Sequence, residues 1–293
     1  MTELKAYAKI NLLLEICGRR ADGYHELCSV MQQLSLHDSV ILEPGEGIGL
    51  EVERGSASAL GHSAVPVDER NIAWKAAAAF FEAAGITPGI SVKLIKRIPA
   101  EAGLAGGSTD AAAVLKGLKS IFAPDMPEEE LIGIGARIGA DVPFCIMGGT
   151  VLCEGIGEKL RALPHVKGIP VVLVKPPVAL STKAVYTAFD ETGKCGAKSS
   201  HDRLLSLLEA GKADAAGLSA GLYNALSAVS EDIHPTIAAL RKELAELGAA
   251  GALMSGSGPT VFAIFDEKEK AAEAARIVAE RHADHFVTVT ETV

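Results

Sequence analysis

A chain of 293 residues, 48% hydrophobic and 22% charged, has the make-up of a globular protein with room for two domains. A net charge of −9 and an aromatic content of 4% argue against nucleic acid and against an anionic membrane surface as partners. No apolar run approaches the roughly 18 residues of a membrane span, Met1-Thr2-Glu3-Leu4-Lys5 lacks a signal-peptide layout, and five cysteines without a C-x-x-C pair read as reduced thiols of a cytoplasmic protein, with no zinc spacing among them.

Leu4 to Ile16 alternates, with Ala6, Ala8, Ile10, Leu12, Leu14 and Ile16 on one face and Lys5, Tyr7, Lys9, Asn11 and Glu15 on the other, which predicts a strand. A polar strand face of this kind is ordinarily solvated. Asp22-Gly23 marks a hairpin turn, beside which Tyr24-His25 could stack on a planar base or simply pack. Cys28 to Ser35, Ser39 to Glu43 and Ile48 to Glu53 read as separate strands, and Gly55 to Glu69 as a surface loop. Asn71 is placed to cap a helix over Ile72 to Ala84, closed by Gly85. Ile90 to Ile98 is a strand that carries Lys96 and Arg97 to the lip of the loop that follows.

That loop is Pro99-Ala100-Glu101-Ala102-Gly103-Leu104-Ala105-Gly106-Gly107-Ser108-Thr109. Behind it Ala111, Val114, Leu115, Leu118, Ile121 and Phe122 have the spacing of one buried helix face, with Ser108, Thr109 and Asp110 as N-cap candidates. Strand, glycine-rich loop and helix N-terminus together concentrate unpaired N–H groups and a partial positive charge, which suits a phosphate. Neither a P-loop nor a dinucleotide fingerprint is present.

A helix from Pro127 to Ile138 precedes Gly139-Ala140-Asp141, so Asp141 falls just past a helix C-terminus, where the dipole disfavours a carboxylate without a partner. Val151 to Glu154 and Lys159 to Leu163 form a hairpin, and the first domain closes near Pro164, giving domains 1–164 and 165–293. The second half reads as strands at Pro170 to Lys175, Gly251 to Ser255, Thr260 to Phe265 and Phe286 to Thr290. Helices are expected around Tyr186 and over Arg203 to Glu209, Leu218 to Val229, Thr236 to Leu247 and Glu267 to Glu280, with Lys194 to Ser200 as loop. The whole is an α+β protein. Met254-Ser255-Gly256-Ser257-Gly258-Pro259-Thr260 is a second glycine-rich loop, either a tight turn or a backstop for the first.

Ala8-Lys9-Ile10-Asn11-Leu12, Pro99 to Ala113 and Met254 to Thr260 resemble, in order, the three motifs of the GHMP kinase superfamily. Asp22 to Leu27, Gly139 to Phe144, Glu154 to Glu158 and Ser181 to Tyr186 resemble its branch acting on a cytidine diphosphate ester. Glu101 stands where that family has glycine or another small residue, and Leu-Ala-Gly-Gly-Ser-Thr replaces Leu-Gly-Gly-Gly-Ser-Ser. The resemblance implies a ribosomal S5 domain 2-like N-terminal domain, a ferredoxin-like α/β sandwich C-terminal domain and an active site in the cleft between them. It implies ATP and Mg²⁺ as cofactors and phosphorylation of a hydroxyl on the methylerythritol part of the ester. By the same resemblance Asp141 is the general base and Lys9 its electrostatic partner. Asn71, Lys96 and the residues from Pro99 to Thr109 bind ATP; Ser108 and Glu130 hold the metal; and Asn11, Tyr24, His25 and Tyr186 enclose the substrate. A monomer or weak homodimer is expected. A homoserine- or mevalonate-type kinase is the alternative within enzymes, and a non-catalytic nucleotide- or RNA-binding module the alternative outside them.

Overall fold

The alternation at the N-terminus builds a long first strand, and the computed structural model carries it over Thr2–Arg19. The structure describes residues 1–21, 23–55, 65–192 and 199–293. Asp22, most of the loop predicted between Gly55 and Glu69, and most of that between Lys194 and Ser200 therefore lie outside the described residues. In chain order the elements are β1 (Thr2–Arg19), β2 (His25–Pro44), β3 (Gly47–Arg54), α1 (Ile72–Ala84), β4 (Gly89–Lys96), α2 (Gly106–Phe122), α3 (Glu128–Ile138) and α4 (Val142–Met147). There follow β5 (Thr150–Gly155), β6 (Lys159–Ala162), β7 (Pro170–Lys175), α5 (Thr182–Thr192), α6 (Ser199–Glu209), α7 (Ala215–Ala220), β8 (Tyr223–Asn224) and α8 (Ser227–Ile233). The chain ends with α9 (Pro235–Glu246), β9 (Gly251–Met254), β10 (Val261–Ile264), α10 (Lys268–Arg281) and β11 (Phe286–Glu291).

One compact unit comprises Met1–Ala8, Leu36–Ala100 and Ala105–Gly148. In it β3 runs parallel to β4, and the end of β2 pairs antiparallel with β4 in the register Val40↔Leu94. Helices α1 and α2 bury alanine-rich faces: Ala73, Ala76, Ala77, Phe80 and Phe81 from one, Ala111 to Leu115 and Leu118 from the other. A Cβ at Gly117 would come within 2.3 Å of Leu42 Cδ1, so glycine lets α2 lie directly on the strands. Ile121, assigned by spacing to the buried face, is instead 41% exposed near the helix end.

The other unit comprises Lys9–Ser35, Glu101–Leu104 and Gly149–Val293. Its four-stranded sheet, ordered β11-β7-β10-β9, is antiparallel throughout. Val172, Val174, Val261 and Ala263 pack there with Ile237, Leu240 and Leu244 of α9 and Ala271, Ala274 and Val278 of α10. In the same unit the first part of β2 pairs with β5, β5 pairs with β6, and β8 lies parallel to β1. Among the described residues no helix is long and apolar enough to cross a membrane.

Three further expectations change. The two strands predicted within residues 28–43 are one, β2, because no glycine or proline interrupts Leu36-His37-Asp38. The single helix predicted over Leu218 to Val229 divides into α7, β8 and α8. The Asn224 side chain accepts from the Leu226 N–H and donates to the Met254 and Gly256 carbonyls, which holds that segment extended. Finally, α2 begins at Gly106, with Ala105 as its N-cap at φ +58°, so Ser108, Thr109 and Asp110 lie within its first turns and none of them caps it.

Candidate active site

A helix N-terminus leaves its first N–H groups without intrahelical acceptors. At α2 those belong to Gly106, Gly107 and Ser108, and the Ala105 N-cap supplies no side-chain oxygen to them. Donors so placed at the positive end of a 17-residue helix suit an anion. The glycines have a further reason to be glycine: a Cβ on Gly106 would come within 3.1 Å of Ile98 Cγ2, and one on Gly107 within 3.1 Å of Ile72 Cγ2. Packing against Ile98 and Ile72 selects them.

Lys96 reaches the glycine loop, its ammonium donating to the Gly106 carbonyl at 3.4 Å, but not as a solvated charge. It is buried, its ammonium donating to Asp38 and, at 2.5 Å, to Asp110 Oδ2. Asp38 also accepts from the backbone N–H groups of Arg97 and Ile98, the latter at 2.8 Å, and so fixes where β4 leaves the sheet and the loop begins. Burial works against the charge on Lys96, but Asp110 and Asp38 outweigh it and hold its pKa above the ordinary lysine value. Burial first and Asp38 second push Asp110 up to about 7, with Lys96 opposing them. Asp38 escaped the sequence reading because nothing in its local pattern links it to residues 58 and more positions away. Asn71 caps α1 through Oδ1 to the Ala73 N–H, and its Nδ2 donates to the Pro66 carbonyl. Both polar atoms are thus engaged within the protein.

Ser108 lies beside the turn that carries Asp141, its Oγ 4.0 Å from where a Cβ on Gly139 would stand. Asp141 itself follows α3 but directly precedes α4, in helical conformation (φ −86°, ψ −11°) and with no side-chain capping bond. The dipole expectation is therefore corrected: the residue stands at a helix start as much as past a helix end. Glu130 is exposed in the first turn of α3.

In the second unit Lys9 and Asn11 are buried, so the polar face of β1 is not solvated there. Lys9 Nζ donates to Asn11 Oδ1 at 2.8 Å, Asn11 Nδ2 to Ser29 Oγ at 2.8 Å, and Ser29 Oγ to the Leu13 carbonyl at 2.7 Å. The backbone N–H of Lys9 donates to the carbonyl of Leu104 in the glycine loop, and its ammonium lies 3.5 Å from where a Cβ on Gly256 would stand. The second glycine-rich loop does back the first. Ser255 Oγ donates to the Gly103 carbonyl at 2.9 Å, and a Cβ on Gly103, at φ +73°, would meet the Ser255 carbonyl oxygen at 2.3 Å. Gly103→Ala therefore adds about 1–2 kcal/mol of left-handed strain before that contact is counted. An unfolding free energy from urea titration lowered by at least this amount is the expected result; an unchanged value would contradict the contact.

Glu101 and Ala105 are the two non-glycine residues at positive φ among the described residues, +51° and +58°, so the sequence departure at Glu101 falls on a position where glycine would relax the backbone. Beneath it is a cation the motifs do not contain: burial lowers the pKa of Lys175, and Glu101 pulls it back up. His25 and Tyr186 face each other with ring centroids 4.9 Å apart and planes tilted by 36°. His25 Nε2 lies 2.6 Å from Asp190 Oδ1, and Arg19 approaches the other oxygen of that carboxylate at 3.3 Å. Tyr24 is 63% exposed. Asp190 was not legible in sequence, since it meets His25 from 165 residues away.

Comparison with known proteins gives the family. Residues 71–149 match the GHMP kinases N terminal domain and residues 204–284 the GHMP kinases C terminal domain. A 4-diphosphocytidyl-2-C-methyl-D-erythritol kinase of Clostridium beijerinckii is 44% identical over 98% of this chain and 99% of its own. The crystal structure of a 4-(cytidine 5'-diphospho)-2C-methyl-D-erythritol kinase superposes with a TM-score of 0.81 at 30% identity, covering 99% of both chains. A homoserine kinase from Cytophaga hutchinsonii, at 20% identity, TM-score 0.75 and coverage of 100% and 95%, shares the fold. On this identity and coverage the chain is an ATP-dependent small-molecule kinase of the GHMP superfamily and belongs to the 4-diphosphocytidyl-2-C-methyl-D-erythritol kinase family.

Proposed function

We propose that this kinase transfers the γ-phosphoryl group of ATP to the 2-hydroxyl of 4-diphosphocytidyl-2-C-methyl-D-erythritol, in the non-mevalonate route to isoprenoid precursors. The observation that carries the reading is the proximity, within one unit, of the uncapped α2 N-terminus, Ser108 and the Gly139–Asp141 turn. Phosphoryl transfer asks chiefly for positioned phosphates and balanced charge. Backbone N–H groups of the glycine loop would hold the triphosphate. The substrate oxygen then forms a bond to the γ-phosphorus as the bond to ADP breaks, and Asp141 receives the hydroxyl proton. Lys9, held by Asn11 and by the Leu104 carbonyl, would balance charge on the transferring group.

Ser108 and the exposed Glu130 offer hard oxygen donors of the kind Mg²⁺ takes, and a Mg²⁺ ion that also binds substrate phosphates needs only one or two such groups from the protein. When bound, the ion would neutralise the β- and γ-phosphate charge.

The His25–Tyr186 pair, with Asp190 orienting the imidazole, supports a site for the cytosine ring, with Tyr24 and Asn11 as further contacts. His25→Ala is expected to raise KM for the cytidine substrate about 5- to 150-fold, the equivalent of about 1–3 kcal/mol of base stacking, and to spare KM for ATP. Equal effects on both would mean the base lies elsewhere. The function as a whole is tested by comparing kcat/KM for cytidine diphosphate esters, homoserine and mevalonate. Preference for either of the last two would overturn it.

A further inference from the structure

The cysteine spacing contains no zinc motif, yet the fold assembles a set of metal-ligand types that spacing does not reveal. Glu15 on β1, Cys28 on β2 and His201 on α6 bring one carboxylate oxygen, one Sγ and one ring nitrogen within 4.8 Å of one another. Glu15 and Cys28 are buried, and His201 is half-buried with its side chain 24% exposed. Cys28 Sγ lies 3.2 Å from His201 Nε2. The other imidazole nitrogen, Nδ1, is approached at 3.6 Å by the Asp202 carboxylate. A carboxylate behind the far nitrogen is what orients a metal-bound histidine and raises its basicity.

We infer that Glu15, Cys28 and His201 form a binding site for a transition-metal dication of the zinc class, separate from the kinase chemistry and tying α6 to β1 and β2. Thiolate, imidazole and carboxylate are the donor types zinc accepts, whereas Mg²⁺ and Ca²⁺ prefer oxygen alone. Three protein ligands leave a fourth tetrahedral position for water. Two exposed residues neighbour the cluster: Cys17, two residues beyond Glu15 on β1, and Glu154, opposite Cys28 on β5. Binding forms a metal–sulfur bond and sends the Cys28 thiol proton to solvent, while His201 binds through neutral Nε2 and Glu15 as carboxylate. Without a cation, burial first and then Cys17, Glu15 and Glu154 push that thiol up to about 12, so it stays protonated and inert.

The test uses the full chain, stripped with a chelator and titrated with Co²⁺ alone. The expected result is a thiolate-to-cobalt charge-transfer band saturating at one equivalent, displaced by Zn²⁺ and accompanied by a raised Tm. Cys28→Ser should abolish the band. Glu15→Gln and His201→Gln should each weaken Zn²⁺ affinity by at least about 100-fold in chelator competition, the upper end of what loss of an outer-shell partner costs. Cys145→Ala, in the other unit, should leave the band intact. Absence of the band in the unaltered chain would overturn the inference, whether or not the variants fold. So would a band that persists in Cys28→Ser, or Zn²⁺ affinity unchanged in both Glu15→Gln and His201→Gln. Kinase turnover enters none of these readouts, so the outcome is independent of the function proposed above.

Discussion

Asp141→Asn is expected to lower kcat by about 10²- to 10⁴-fold, the usual contribution of a positioned general base, while leaving ATP affinity near normal. The substitution keeps shape and hydrogen-bonding capacity but removes the group that would take the substrate proton. The Asp141 side chain makes no capping bond to α4, so the substitution removes no cap from that helix. Single-turnover kinetics on preloaded enzyme, together with nucleotide titration, separate the two effects. Full activity in the variant would refute the base assignment, and a parallel loss of ATP affinity would move Asp141 into the nucleotide site instead.

Lys96→Met is expected to cost about 3–5 kcal/mol of stability, the range for breaking a buried ion pair from one side. It strands Asp38 and Asp110, which are 0% and 3% exposed at their side chains, with no cation between them. Urea unfolding provides the measurement. A loss below about 1 kcal/mol, the range of exposed ion pairs, coupled to a large rise in KM for ATP, would mean that Lys96 serves phosphate directly and that its carboxylate partners matter little. The double variant Lys96→Met/Asp110→Asn should recover part of the loss, because it removes one of the two stranded charges.

The same cluster sets a pH dependence. Burial disfavours the ionised form of Asp110 and the neighbouring Asp38 adds to this against the opposing Lys96, so Asp110 retains its proton up to about 7. Its folded pKa is thus raised above the ordinary carboxylate value. The stability it contributes is fully present below about pH 4 and is lost as pH rises through about 7, because the folded state binds a proton the unfolded chain has released. Asp110→Asn lacks that dependence. Stability of the unaltered chain measured relative to Asp110→Asn should fall between pH 4 and 7 and level off above. A difference that stays flat with pH would show that Asp110 is ionised throughout.

Local pattern and local chemistry reach far in this chain. The alternation of β1, the Asn71 cap and Gly85 stop of α1, the acidic first turn of α3 and the apolar run of β7 are each decided within a few residues, and the structure has them at or near the expected bounds. The glycine-rich loops could be read for the same reason: a helix N-terminus behind glycines is a property of adjacent residues. What only the tertiary structure decided are the meetings of residues distant in the chain. Asp38 with Lys96, Ser255 with Gly103, Asp190 with His25, and His201 with Cys28 are joined across 58 to 173 positions. Burial, too, is decided by what packs on a face. Lys9 and Asn11 follow the same alternation as solvated strand residues, and only the loops folded over them make them interior groups. A periodic pattern specifies which way side chains point; which of them meet, and whether water reaches them, depends on neighbours that the pattern does not encode.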